Sequence, residues 1–388
     1  MPEFGRYLLP HWQLDPDATL LNHGSFGAAP KAVLEAQAQL RIEMERQPDQ
    51  FFRRRIMPGP DSAVRQVAAQ LAAFIGARED QVALIENATA GINAVLASLA
   101  FKPGDEILFI DHVYNAVRVS IEDTCRKTGA VPKRVHIPIP FDSQDALSRI
   151  VEAAGSRTRL AIIDHITSPT ALLLPAGDVI RALKVKGVMV LIDGAHSLGQ
   201  IPLDLGNLGA DWYTSNAHKW FYAPKGSAFL FASAEAAKMT LPISVSHFHG
   251  LGFPHAFDYT GTRDNTAWLA LPAAMAFGAQ FGWDNIQAYG RGLAHKSADL
   301  LARVGAQPIS KTDATVSLRS FILPQRRAPE TDDVRSLMTD LWTKHRIQVN
   351  ASTFSGHFLI RLSHQIYNES SDIDRLAGVL ERESWPGR

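Results

Sequence analysis

RLAIIDHITSPTALLLPAGDVIRALKVKGVMVLIDGAH, residues 159–196, decides the fold. RLAIIDHIT (159–167) and GVMVLIDGAH (187–196) are apolar runs that end in polar residues, the pattern of strands buried on both faces. Between them AGDVIRALKVKG (176–187) carries apolar residues at helical spacing and stops at Gly187. A strand, a helix and a second strand in that order predict a parallel sheet with helices packed on it.

The alternation continues outward in both directions. QVALIEN (81–87) precedes a segment with Ala90, Ile92, Ala94, Val95 and Leu99 at helical spacing. PGDEILFIDH (103–112), KRVHIPI (133–139), DWYTSN (211–216) and GSAFLFAS (226–233) bring the set to about seven strands. From about residue 284 the pattern changes to helical SADLLARV, strand-like TVSLRSFILP, helical DDVRSLMTDLWTKH and strand-like FLIRLS. The expected architecture is α/β: a large domain on a mostly parallel seven-stranded sheet, with a smaller α+β C-terminal domain. The expected boundaries are an N-terminal segment 1–30 near the site, a large domain 31–263, and a connecting helix with the small domain 264–388.

Composition narrows the function classes. Lys plus Arg equals Asp plus Glu at 39 each, so no charge excess calls for nucleic acid or an anionic membrane. The arginines 53–55 read as a solvated helix face or an intersubunit patch. Cys125 is the one cysteine, which rules out an intrachain disulfide and suits a reducing, cytoplasmic setting. The first residues lack the apolar core of a signal peptide. The uncharged run Asn265–Trp283 is broken by Pro272, Gly278 and Gly282, and predicts a buried helix starting near Pro272 rather than a membrane span. His247, His249 and His255 lack the cysteine or acidic partners of a metal site and read as loop histidines.

In a parallel sheet the ligand lies beyond the carboxyl ends of the strands. Those ends carry Asn87-Ala88-Thr89, His112, Asp164-His165, Asp193 to His196, and Ser215 to Lys219. Neither G-x-G-x-x-G after a strand nor G-x-x-x-x-G-K-[ST] is present, so dinucleotide and P-loop readings lack support. Asp193, at a strand end in LIDGAH, needs a cationic partner if buried. A protonated pyridine nitrogen meets that need. Pyridoxal phosphate asks for a lysine, a carboxylate and a phosphate cradle, and Lys219, Asp193 and the helix start at Ala88-Thr89 supply the three types.

Several segments in fixed order carry a resemblance. LNHGSFGAAP (21–30), ENATAGIN, DHITSPTALLLP (164–175), LIDGAHSLGQIPLDL (191–205), NAHKWFYAPKGSAFLF and RLSHQIYN (361–368) together resemble class V aminotransferase-fold, fold type I pyridoxal-phosphate enzymes of the isopenicillin N epimerase-like group. The resemblance implies that Lys219 forms the Schiff base and Asp193 pairs with the ring nitrogen. His196 would lie near the ring's phenolic oxygen, with Ser168 or Thr167. Ala88, Thr89, Asn216 and His218 would hold the phosphate, with Ser215 a rival to Asn216. Tyr114 would stack on the ring, with His112 its rival. Arg361 would grip the substrate carboxylate; Asn22, His23 and Tyr222 would face the substrate, and the aromatics after Lys219 would wall the pocket. Thr262 in GTRDNT would reach the phosphate of a second subunit, which makes the expected assembly a homodimer.

For the reaction, the resemblance implies chemistry at the α-carbon of an amino acid. Epimerisation needs a second acid, for which Tyr114, Tyr222 and His23 are candidates. C–S β-elimination from a cysteine conjugate or sulfoxide and aminotransfer are alternatives. Desulfuration through a cysteine nucleophile is disfavoured, because QVNASTFSGHF (348–358) holds no cysteine. A binding or regulatory protein of this fold is the non-enzymatic alternative, and the presence of both Lys219 and Asp193 argues against it.

Overall fold

The computed structural model describes residues 3–59, 62–310 and 316–382. Seven strands form the larger sheet: β1 (Val82–Ile85), β2 (Glu106–Ile110), β3 (Val131–Val135), β4 (Thr158–Asp164), β5 (Met189–Asp193), β6 (Trp212–Asn216) and β7 (Ala228–Ala232). Their order is β1-β7-β6-β5-β4-β2-β3, and every pairing is parallel except those of β7 with β1 and β6. The exception has a local cause. Parallel neighbours need a crossover of a dozen or more residues, whereas the chain leaves β6 at Asn216, turns at Gly226 (φ +84°) and returns at Ala228.

Successive residues of the central strands enter different cores. Leu84, Leu108, Ile163 and Ile192 join one apolar cluster, and Ala83, Ile107, Ile162 and Leu191 join another on the opposite face. Helices on both sides therefore bury the sheet, as the continuous apolar runs require. The edge strand β3 departs from this: its Lys133 and Arg134 and the absent N–H of Pro132 blunt an edge open to pairing. It lies earlier than the run KRVHIPI suggested, because Pro138 and Pro140 cannot donate to a ladder.

The segment Asn265–Trp283 forms two helices, Thr266–Leu269 and Leu271–Phe281, the second with Pro272 in its first turn. Among the described residues no helix is long and apolar enough to cross a membrane. The helix Trp283–Ala302 leads to a four-stranded antiparallel sheet of β8 (Gln307–Pro308), β9 (Leu318–Ile322), β10 (Asn350–Phe354) and β11 (His357–Ser363), ordered β10-β11-β9-β8. Thr315, the first residue of the expected strand TVSLRSFILP, lies outside the described residues. Helices Thr331–His345 and Ser370–Arg382 cover this sheet around a core that includes Phe321, Leu337, Ile360 and Leu376. Thr19–Leu20 pairs in parallel with Ile347–Gln348 in a separate two-stranded sheet, which ties the N-terminal segment to the C-terminal part of the chain. From there the chain runs back over the strand ends of the larger sheet.

Candidate active site

The strands β4, β5 and β6 end side by side at Asp164, Asp193 and Asn216, and Asp164 and Asp193 are direct register partners. The short helix Ala217–Trp220 begins at once after β6, so Lys219 stands over these strand ends. Across β7 lies β1, whose end feeds the helix Ala88–Ser98. A cavity of about 440 Å³ occupies the space between, lined among others by Thr89, Tyr114, Asp193, His196 and Lys219. A larger open cavity of about 1050 Å³ lies along Arg46 and Arg53 to Arg55. Arg53 pairs there with Asp49 and Arg55 with Glu43, and no lysine is among the described residues that line it.

Lys219 is buried. Burial, and next the charge of Arg361, lower its ammonium to about 8, which leaves a usable fraction of free amine near neutrality. Its Nζ lies 3.2 Å from His196 Nε2. Burial, then the charge of Lys219, hold His196 well below the usual imidazole range, so it is neutral. Asp193 accepts the Ala195 N–H through Oδ1 at 2.9 Å. Burial raises its carboxyl, and raises that of Asp164 further, with the charge of Asp193 adding to the effect. Asp164 Oδ2 has no hydrogen-bond partner. The pair presents buried acidic oxygens that make no ion pair among the described residues, and a protonated ring nitrogen would provide one.

The residues expected to hold a phosphate gather at the same cavity. Asn87 caps the helix by accepting the Ala90 N–H, and the Ala88 N–H donates to Asn216 Oδ1 at 2.9 Å. Thr89 follows in the first turn, where free N–H groups favour an anion. Asn216 lines the cavity, whereas Ser215 is fully buried and bonds the Gly194 carbonyl and the Leu198 N–H. His218 lines it too, with Nδ1 donating to the Ser227 carbonyl and the imidazole lowered to about 4, chiefly by burial.

Tyr114 is half-exposed at the cavity mouth. His112 lies apart, fully buried between Thr170 Oγ1 and the Ile137 carbonyl, each at 2.8 Å. Thr167 is likewise buried against Thr170, while Ser168 reaches the cavity. Arg361 stands behind Ser25 and Ser168: Nη2 donates to Ser25 Oγ at 2.9 Å and Nη1 to Ser168 Oγ at 3.3 Å. Its Nε has no partner, and burial lowers the guanidinium to about 10. Asn22 accepts from Ser25 Oγ at 2.7 Å and from Arg361 at 3.4 Å, one step back from the cavity.

Three expectations need correction. Tyr222 does not reach the cavity: its φ of +63° turns it away, its hydroxyl donates to Gln365, and Trp12, Phe277 and Trp283 surround it. The other aromatics do not wall the cavity either. Phe221 stacks on Trp283, and Trp220 packs against Ile166 and Leu318. His23 is a buried clamp, bonded to the Lys219 carbonyl at 2.8 Å and to the Tyr367 hydroxyl at 3.0 Å. Thr262, by contrast, is expected to serve a second subunit rather than this cavity, and it is exposed against the Tyr259 hydroxyl. Sequence reading placed Asp164 and Ala195 at the strand ends without giving them a role, and missed Ser25 and Phe26 as lining residues. Among the described residues no group of His, Cys, Asp or Glu is placed to hold a metal ion.

Comparison with known proteins agrees with this geometry. The model of the family described as aminotransferase class V matches residues 30–376. Putative L-cysteine desulfhydrase 1 of Oryza sativa subsp. japonica is 31% identical, over 93% of this chain and 82% of that one. Isopenicillin N epimerase of Streptomyces clavuligerus is 31% identical, over 95% of each. A solved structure of the cystine C–S lyase C-DES with its product cysteine persulfide superposes with a TM-score of 0.81 at 20% identity, covering 94% of this chain and 98% of that one. Matched by the family model over most of its length and 31% identical to relatives across nearly all of it, the chain belongs to the class V aminotransferase family of pyridoxal-phosphate enzymes.

Proposed function

We propose that the protein catalyses C–S β-elimination on a cysteine-type amino acid, releasing a sulfur leaving group from the β-carbon. The carrying observation is that the cavity combines one well-placed base, Lys219, with few candidates for a second acid. Of the three side chains that a two-base epimerisation could use, His23 and Tyr222 are committed to bonds outside the cavity. Elimination needs only the base. Relatives named as cysteine desulfhydrase and the C–S lyase fold neighbour point the same way.

Pyridoxal phosphate, when bound, supplies an electron sink for the pair left at the α-carbon. Lys219 Nζ removes the α-proton, and its depressed ammonium suits that exchange near neutral pH. Asp193, kept from water, would hold the proton of the ring nitrogen. Ala88, Thr89, Asn216 and His218 would hold the phosphate, Ser168 and His196 would serve the phenolic oxygen, and Tyr114 would cover the ring. Arg361 would donate to the substrate carboxylate from its planar fork, which has no carboxylate partner among the described residues and keeps Nε unpartnered. Removal of the α-proton, cleavage of the Cβ–S bond and addition of water convert cysteine to pyruvate, ammonia and sulfide. A persulfide route on the enzyme's own thiol is not open, since Cys125 is buried in a helix with its thiol raised to about 11.

Epimerisation remains the second reading, favoured by Tyr114, a half-exposed phenol at the cavity, and by the epimerase relative. Thr262, exposed on the surface, would complete a homodimer by reaching a second copy's phosphate. Incubation of the loaded enzyme with cysteine and cysteine conjugates in deuterated water separates the readings. Pyruvate with released thiol supports elimination. Deuterium at the α-carbon with inverted configuration and no pyruvate overturns it.

A further inference from the structure

We infer that Trp220 fixes the tautomer of His196, so that this histidine offers Lys219 an N–H donor and never a lone pair. The chain of contacts is short. Trp220 Nε1 lies 3.3 Å from His196 Nδ1, and His196 Nε2 lies 3.2 Å from Lys219 Nζ. An indole nitrogen can only donate, so His196 Nδ1 accepts and carries no proton. A neutral imidazole has one proton to place, and it then sits on Nε2, facing the lysine. Lys219 meets that proton with its nitrogen lone pair, which an ammonium does not have. A tryptophan one residue beyond the lysine thus favours the free amine through the intervening ring.

The surroundings enforce the arrangement. Trp220 is buried among Ile166, Val316 and Leu318 and cannot swing away without opening that cluster. Gln200 Nε2 donates to the His196 carbonyl at 2.6 Å and holds its backbone. The charged and titratable groups acting on His196 are Lys219 and His218 from the helix after β6, and Arg361 from β11. All three are basic and oppose a second proton on the ring. Asp193, from β5, acts on Lys219 in the opposite sense and is outweighed by burial.

The consequence for chemistry is a division of labour. With its proton on Nε2, His196 cannot take a proton from a substrate, and the amine of Lys219 keeps the role of base. His196 serves as a donor to whatever oxygen or nitrogen occupies the space before it. Trp220 touches no substrate and is a positioning residue. This inference rests on Lys219 being the reacting amine, but the tautomer can be read whether or not that holds.

The test uses protein labelled with 15N-histidine, with and without pyridoxal phosphate, and long-range nitrogen–proton correlation. His196 is assigned by difference against H196Q. The expected result is a protonated Nε2 and a bare Nδ1 in the wild type. In W220F the proton should spread to Nδ1. The pH profile of pyridoxal-phosphate attachment, scored as borohydride-fixed cofactor, should then move to higher pH, with about threefold to tenfold slower attachment at pH 7. A wild-type His196 protonated on Nδ1 overturns the inference, and so does a W220F protein whose tautomer and profile are unchanged. If W220F does not fold, the wild-type spectrum still decides. Failure of the wild type to bind cofactor, with the tautomer as expected, would instead count against the proposed function.

Discussion

Arg361 gives the sharpest quantitative prediction. Its guanidinium is buried, bonds only neutral oxygens of Ser25, Ser168 and Asn22, and keeps Nε unpartnered. A substrate carboxylate would make two charge-assisted bonds to such a fork, each contributing about 1.5 kcal/mol net. Their loss in Arg361→Met amounts to about 3 kcal/mol, or about 150-fold in dissociation constant. Arg361→Lys keeps a point charge but not the fork, and should lose about half of that, roughly tenfold. The assay is a spectrophotometric titration of the loaded enzyme with cysteine and with cysteamine, which lacks the carboxylate. The substitutions should weaken cysteine binding and leave cysteamine unaffected. Thermal stability should change little, because the unpaired buried charge that Met removes offsets the lost bonds. Equal weakening of both ligands, or less than about threefold for cysteine in the Met variant, would refute the reasoning.

Attachment of pyridoxal phosphate to the cofactor-free protein needs the neutral amine of Lys219, whose ammonium is lowered to about 8. The rate should therefore climb between pH 7 and 9, by about tenfold, and level off above, with single-mixing absorbance as the readout; a flat profile would contradict it. Lys219→Ala should fold normally, as judged by circular dichroism, and show no turnover. Gly27→Ala should be severely destabilised, by about 3 kcal/mol or more in chemical denaturation, because φ is +68° and the added Cβ would stand 1.7 Å from the His218 carbonyl oxygen. Tyr222→Phe should lower stability by about 1 kcal/mol through the lost bond to Gln365, with kcat unchanged.

Much of this was legible because it is local. Apolar runs ending in Asp164, Asp193 and Asn216 announce buried parallel strands, and the ligand rule then points to their ends. The hairpin β10–β11 was harder, since Asn350 to Phe354 is polar and its turn depends on left-handed Ser355 and Gly356. Residues brought in by long-range packing left no periodic trace. The N-terminal loop lies on the lysine segment through Gly27 and His23, which puts Ser25 and Phe26 at the cavity. Asp164 did leave a signal: two neighbouring strands each end in aspartate, and register sets the carboxyls side by side. The aromatics after Lys219 misled for a geometric reason. A left-handed Tyr222 aims its ring at the core, and its sequence neighbours give no hint of that turn.

The account stands on Lys219 as the residue that binds pyridoxal phosphate. The direct measurement is borohydride reduction of the loaded protein, followed by proteolysis and mass spectrometry of the modified peptide. The account predicts a single phosphopyridoxyl group on Lys219. Modification at Lys225 or elsewhere with Lys219 untouched, or no modification at all, would contradict it.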